Sequence, residues 1–254
     1  LEQYKNFEQM AVRPVWGVSG IGLDYRLRIP AVGRLIKSMA ERMLHSTKPP
    51  SNPFRAEGHI GQVVPLEDGI AILEECAAEP IIEKNCMCRY MSRGIKESCC
   101  INFGVMSEIA GRLPRFIPEK DKFFLTRKEA VARFTSHNRR GYIGTIWFGP
   151  FPYINNLCSC ANPECAGIRP RFDFGIMSIY KAEYVICVND SACVGCGACA
   201  ARCPFGALKM APGGGMVSAD IAACYGCGVC RHVCQRGALY LAPRDEVPEV
   251  RGKY

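Results

Sequence analysis

The sequence predicts an α+β chain in two unequal parts: a compact C-terminal module, attached to a larger cysteine-containing part of α/β or α+β type. Three observations predict it. One cysteine pattern is written twice in the last quarter of the chain. The residues before it mix helical and strand-like apolar periodicities. The length, 254 residues, is enough for one large or two modest hydrophobic cores.

The repeat comes first because it is the most specific signal. Residues 192–210 read ACVGCGACAARCPFGALKM and residues 223–241 read ACYGCGVCRHVCQRGALYL, an offset of 31 with ten identities in nineteen positions. Each copy contains C-x2-C-x2-C-x3-C, as Cys193, Cys196, Cys199, Cys203 and as Cys224, Cys227, Cys230, Cys234. This is the spacing of bacterial two-cluster ferredoxins, in which the fourth cysteine of each run ligates the other run's cluster. One [4Fe–4S] cluster is therefore assigned to Cys193, Cys196, Cys199 and Cys234, and a second to Cys224, Cys227, Cys230 and Cys203. Three thiolates within seven residues wrap one cubane only if the backbone turns tightly, which the intervening glycines permit. Pro204 bends the chain away after the fourth cysteine; Gln235 stands at the equivalent place in the second copy. Zinc sites are usually written as two separated cysteine pairs, and disulfide scaffolds as short secreted chains, so both fit less well.

Composition narrows the setting. Of seventeen cysteines, eight are taken by the repeat, and no charged-then-apolar leader opens the sequence. A reducing, anaerobic cytoplasm is the expected compartment. The formal charge is +8, but an oxidised cluster with four thiolates carries roughly two negative charges, which brings the loaded protein nearer neutrality. No Lys/Arg run with interleaved aromatics supports nucleic-acid binding. Residues 1–60 hold nine Lys/Arg against five Asp/Glu, which fits docking to an acidic partner. Residues 141–163 lack charge, yet Pro150, Pro152, Pro163, Asn155 and Asn156 exclude a membrane span and favour a buried strand followed by a loop.

The division expected is a docking extension at 1–57, a cysteine-rich part at 58–181, the two-cluster module at 182–245 and a charged tail at 246–254. Residues 1–30 are irregular by pattern. In 31–45, Leu35, Ile36, Met39, Met43 and Leu44 recur at helical spacing, giving an amphipathic helix that could dock a partner or pack on its own part. Lys48–Pro53 reads as a linker. Residues 58–64 read as a strand, in which His59 is given no role, and Pro65 as the first turn of a helix to about Ala78. A helix ending near Ala110 follows the cysteines at 86–100. Thr126-Arg-Lys-Glu129 is a capping box opening a helix that stops at Gly141. Tyr142–Phe148 reads as a strand, Arg171–Val188 as strands with Cys187 buried, and Gly213–Gly215 as a hairpin or loop.

Six further cysteines cluster in the first part: Cys86, Cys88, Cys100, Cys158, Cys160 and Cys165. Short C-x-C pairs from distant segments converge in both zinc and iron–sulfur sites. A subset is expected to hold a third [4Fe–4S] cluster or a zinc ion, the cluster being preferred over zinc and metal over free thiols.

From about residue 60 onward the chain resembles a family of anaerobic 4Fe–4S dicluster proteins with an N-terminal cysteine-rich domain. The resemblance is carried by Val64-Pro65-Leu66-Glu67, Cys86-Met87-Cys88-Arg89, Cys100-Ile101-Asn102-Phe103-Gly104, Asn156-Leu157-Cys158-Ser159-Cys160 and the approach Glu183–Val188 into the repeat. Relative to that family, the cysteine-crowded segment is thinned to Cys158, Cys160 and Cys165. The resemblance implies electron transfer beside a larger redox enzyme, without naming one.

The leading expectation is an electron-transfer protein or subunit relaying single electrons between redox-enzyme subunits or soluble carriers, with no catalytic side chain. The alternatives are a reductase with its own open metal site in the first part, and a redox sensor built on Cys99 and Cys100 or the C-x-C pairs. No G-x-G-x-x-G between a strand and a helix supports a nicotinamide or flavin site.

Overall fold

The computed structural model describes residues 29–44, 61–112, 122–147, 154, 156–211 and 215–254. The expected linker at 48–53, His59, most of the irregular first thirty residues and the tip of the 213–215 turn lie outside them. Helix and strand are mixed throughout.

The first part is a six-stranded antiparallel sheet. In chain order its strands are β1 (Gly61–Val64), β2 (Ile81–Asn85), β3 (Ser98–Phe103), β4 (Lys122–Leu125), β5 (Ile143–Trp147) and β6 (Asn156–Cys160), arranged spatially as β1-β5-β6-β3-β2-β4. Between and around them run α1 (Pro30–Leu44), α2 (Leu66–Ala71), α3 (Met87–Arg93), α4 (Val105–Arg112), α5 (Arg127–Arg140) and α6 (Ile168–Phe174).

Period-two alternation gives this sheet two chemically different faces. Val64, Ile81, Ile101, Phe103, Leu125, Ile146 and Leu157 point to one side and pack with Leu73, Ala130 and Phe134 from the covering helices. That side is hydrocarbon. Val63, Cys100, Ile143, Cys158 and Cys160 point to the other, where Cys86, Cys99 and Cys165 join them. The second side is largely sulfur.

Helix α5 seals the hydrocarbon face. The expected capping box is formed: Glu129 N–H donates to Thr126 Oγ1 at 3.3 Å and Thr126 N–H to the Glu129 carboxylate at 2.8 Å. Gly141 ends the helix in the left-handed conformation. The Phe134 ring lies so close to Gly69 that any Cβ there would overlap it. Pro65 is the residue before α2 rather than its first turn, and α2 leaves regular geometry at Ile72, finishing as a π-helical turn through Cys76.

Several elements differ from the sequence expectation. Residues 156–160 are a strand inside the sheet, not loop. Arg171 belongs to helix α6, where Pro170 is tolerated in the first turn. Cys187 is half-buried. The last nine residues do not trail off: Val250 is buried in the module's core, and the Tyr254 carbonyl accepts from Arg171 at 2.6 Å. On α1, Leu35 is largely exposed.

The C-terminal module carries β7 (Tyr184–Val188), α7 (Ala198–Arg202), β8 (Leu208–Met210), β9 (Val217–Ala219), a 3-10 turn at Val229–Val233 and β10 (Leu239–Pro243). Its two copies exchange strands. β7 of the first copy pairs with β10 of the second, and β9 of the second pairs with β8 of the first. The registers are equivalent under the 31-residue offset, since Val188↔Leu239 corresponds to Ala219↔Leu208. This module covers the sulfur face: Phe205, Tyr225, Cys227 and Val229 belong to the same core cluster as the first-part cysteines.

Candidate metal centres

The strand exchange explains why a fourth cysteine should cross between copies. Each run of three cysteines sits between strands whose partners belong to the other copy, so the end of one copy lies beside the start of the other. Cys203 accordingly lines a single cavity with Cys224, Cys227 and Cys230, closed by Phe205 and Tyr225. In the other group Cys199 neighbours Cys196 and Cys234.

The donor chemistry fits cluster thiolates. Backbone N–H groups point at sulfur: Gly226 and Ile186 donate to Cys224 at 3.3 and 3.4 Å, Ala207 to Cys203 at 3.3 Å and Ala238 to Cys234 at 3.3 Å. The Cys203 and Cys234 bonds are equivalents under the repeat. Gly226 and Gly228, like Gly195 and Gly197, hold positive φ between 66° and 75°, the turn that aims these amides inward. Burial pushes the Cys230 thiol up to about 12, with Cys224, Cys203 and Cys199 adding to it. Burial likewise raises Cys227 well above the thiol range. Ionising such thiols requires positive charge in the cavity, which a bound metal provides.

The two groups differ in exposure. Cys224, Cys227 and Cys230 are all buried, whereas Cys196 is exposed and Cys193 and Cys234 half-buried. The Cys224 group also lies nearest the first part. The ring of Tyr225 stacks on Phe205 at 4.0 Å between centroids, and Asn162, within the Cys160–Cys165 loop, donates to the Pro204 carbonyl at 3.1 Å. Arg244 is wholly buried and donates to the carbonyls of Ala182, Tyr184 and Cys224 at 2.9, 2.8 and 3.1 Å, tying the β7 edge to the Cys224 turn. Arg231 grips the Glu67 carboxylate with contacts of 2.8 and 2.9 Å across the junction of the two parts.

In the first part, all six cysteines singled out from the sequence converge. Cys86 neighbours Cys88 and Cys100; Cys100 is paired with Cys158 across β3 and β6; Cys165 Sγ lies 3.3 Å from Cys160 Sγ and beside Cys88. Cys99, outside the six singled out from the sequence, joins them, although adjacent residues of a regular strand point to opposite faces. A register shift between β2 and β3 pairs Lys84 with Cys100 but Asn85 with Ser98, leaving Cys99 as the extra residue. Such a bulge re-aims a side chain. The sulfurs of Cys86, Cys99 and Cys100 consequently lie within 4.8 Å of one another, all buried. The spacing Asn85…Ser98 offered no signal for the bulge. Burial of Cys99 and Cys100 disfavours the sensor reading, which needs an accessible thiolate.

Among the described residues no helix is long and apolar enough to cross a membrane. No curated protein matches the chain. Residues 192–239 match the family model described as a 4Fe-4S dicluster domain. The C-terminal module is therefore ferredoxin-like and binds iron–sulfur clusters.

Proposed function

We propose that the chain is an electron-transfer protein or subunit, relaying single electrons to or from a partner oxidoreductase. Cys193, Cys196, Cys199 and Cys234 hold an outer [4Fe–4S] cluster, Cys224, Cys227, Cys230 and Cys203 hold an inner one, and the first-part cysteines hold a third metal centre. The cavity that joins Cys203 to the second cysteine run carries this reading. We divide the chain at the approach to β7, with the six-stranded part before it and the two-cluster module from 182 onward.

When bound, the clusters supply one-electron chemistry at low potential. The chain's own residues supply the rest. Gly226, Ile186, Ala207 and Ala238 direct N–H dipoles at the ligand sulfurs and stabilise added negative charge. Phe205, Tyr225 and Val229 exclude water from the inner site. The exposure of Cys196 and Val194 supports an outer site open to a partner at the surface.

The test is iron and sulfide per chain on anaerobically purified protein, with EPR after dithionite reduction. Eight irons in the module, with the coupled signal of two reduced clusters, are expected. Cys203→Ser should damage the inner cluster and leave the outer one, whereas Cys234→Ser should do the reverse. If Cys203→Ser selectively removes the outer cluster, the exchanged assignment is wrong.

A further inference from the structure

The clustered cysteines of the first part number seven once Cys99 is included, exposed Cys76 standing outside the group, and their neighbour relations close into a ring. Cys86, Cys99 and Cys100 contact one another. Cys100 adjoins Cys158, Cys158 adjoins Cys160, Cys160 adjoins Cys165, Cys165 adjoins Cys88, and Cys88 returns to Cys86. Six of the seven are buried and Cys88 is half-buried.

A single tetrahedral ion or a single cubane takes four thiolates. Either would strand three more thiols in the same buried ring. Disulfides do not account for the arrangement: all seven are free, and the Cys160–Cys165 separation of 3.3 Å exceeds the roughly 2.05 Å of a sulfur–sulfur bond. Two tetrahedral ions that share one thiolate use seven ligands.

The polar groups around the ring are arranged for thiolates rather than thiols. Trp147 Nε1, which can only donate, gives its hydrogen to Thr145 Oγ1 at 3.0 Å. Thr145 Oγ1 lies 3.1 Å from Cys160 Sγ, within reach of donating its hydrogen to a thiolate there. Two cations flank the ring. The buried Arg89 guanidinium sits beside Cys99 and Cys86, held by Glu97 and, at 3.3 Å, by the Ser159 carbonyl. Lys84 lies beside Cys100, Cys158 and Cys86. Among the described residues neither His nor a carboxylate enters the donor set, and all-sulfur sites select thiophilic metals such as zinc and iron.

We propose that Cys86, Cys88, Cys99, Cys100, Cys158, Cys160 and Cys165 form one ligand set for a polynuclear centre of iron or zinc, in which at least one thiolate bridges two metal ions. This rests on the reading that the first part binds metal, and is independent of the eight ligands in the C-terminal module. Thr145, Arg89 and Lys84 are positioning and charge-balancing residues for it.

The experiment is metal counting by native mass spectrometry and elemental analysis on the full chain and on Cys88→Ser and Cys99→Ser, with Mössbauer spectra for iron and X-ray absorption for zinc. At least two metal ions beyond the module's irons are expected. Each variant should lose metal from this centre or change its spectrum, while the module's EPR signal persists. Iron and zinc are told apart by the count itself, and either supports the proposal. One extra ion or none overturns it. So do four extra irons whose number and spectrum both variants leave unchanged, since that is an ordinary cubane. Should a variant misfold, shown by loss of the module's signal, the wild-type count and Mössbauer spectrum decide together: four extra irons with an ordinary cubane's spectrum overturn the proposal, and any other count of two or more ions supports it. Absence of module iron beside an intact first-part centre would sink the relay assignment and leave this one standing.

Discussion

Replacing Gly226 by alanine tests how tightly the inner turn is built. Gly226 has φ +73°, and an added Cβ would stand 2.2 Å from the Tyr184 carbonyl oxygen and 2.8 Å from Ala182 Cβ. The left-handed backbone alone costs roughly 1–2 kcal/mol for a residue with a Cβ. Gly206 isolates that cost, because its φ is +64° and nothing lies within 4 Å of its Cβ position. At Gly226 the overlap must also be relieved, and the neighbour is backbone. The Tyr184 carbonyl accepts from buried Arg244 at 2.8 Å, so moving it sacrifices a charged hydrogen bond worth roughly 1.5–3 kcal/mol. Overpacking adds roughly 1–3 kcal/mol. Gly226→Ala should therefore cost about 5 kcal/mol and Gly206→Ala about 1.5 kcal/mol. Iron per chain and the urea concentration that bleaches half the cluster absorbance, both under anaerobic conditions, report the difference. Equal losses from the two variants would refute the steric argument.

Arg244→Gln removes a buried positive charge beside Cys224; the inner cluster's reduction potential should fall by tens of millivolts, about 59 mV for each tenfold change in equilibrium, and an unchanged redox titration would make Arg244 purely structural. Thr126→Ala deletes the α5 cap and should cost about 1 kcal/mol in urea denaturation without altering metal content. Burial, and then Arg140, depress His137 to about 4. The unfolded chain takes that proton near 6.5, so this stability is present above pH 6.5 and lost as pH falls toward 4; at 1.36 kcal/mol per pKa unit its ceiling is about 3 kcal/mol. His137→Gln should flatten that acid-side loss. Glu83 has the opposite sign: burial raises it to about 7 and Arg133 only partly offsets this. Its contribution is present below pH 4.5 and lost as pH rises through 7, so Glu83→Gln should flatten the alkaline limb.

The C-terminal module was legible in the sequence because its information is local. Cysteines at fixed spacing, with glycines between them, describe a turn and its ligands together. The α5 cap was legible for the same reason, since Thr126 and Glu129 answer each other within one turn. The sheet was harder to read. In β6 the alternation is Leu157 against Cys158 and Cys160, and cysteines read as metal ligands are easily not counted as strand residues. Helix α3 begins immediately after Cys86 and was hidden by the same emphasis. Pro170 and the alternating Arg169-Pro170-Arg171-Phe172 disguised α6. Cys99 was out of reach because its direction depends on β2, a partner fourteen or more residues away along the chain. Neither the strand exchange nor the covering of the sulfur face is written locally; both follow from tertiary pairing.

That covering has a consequence for biogenesis. Among the described residues Cys227 and the ring in the first part are closed over by one shared core, so an ion arriving from solvent meets packed side chains there. On the proposed metal assignment, delivery to these cysteines would precede or accompany the closing of the two halves of the chain. A carrier that hands over preassembled cofactors would meet the polypeptide while it is still open, and the last step of maturation would be the clasping of one half onto the other.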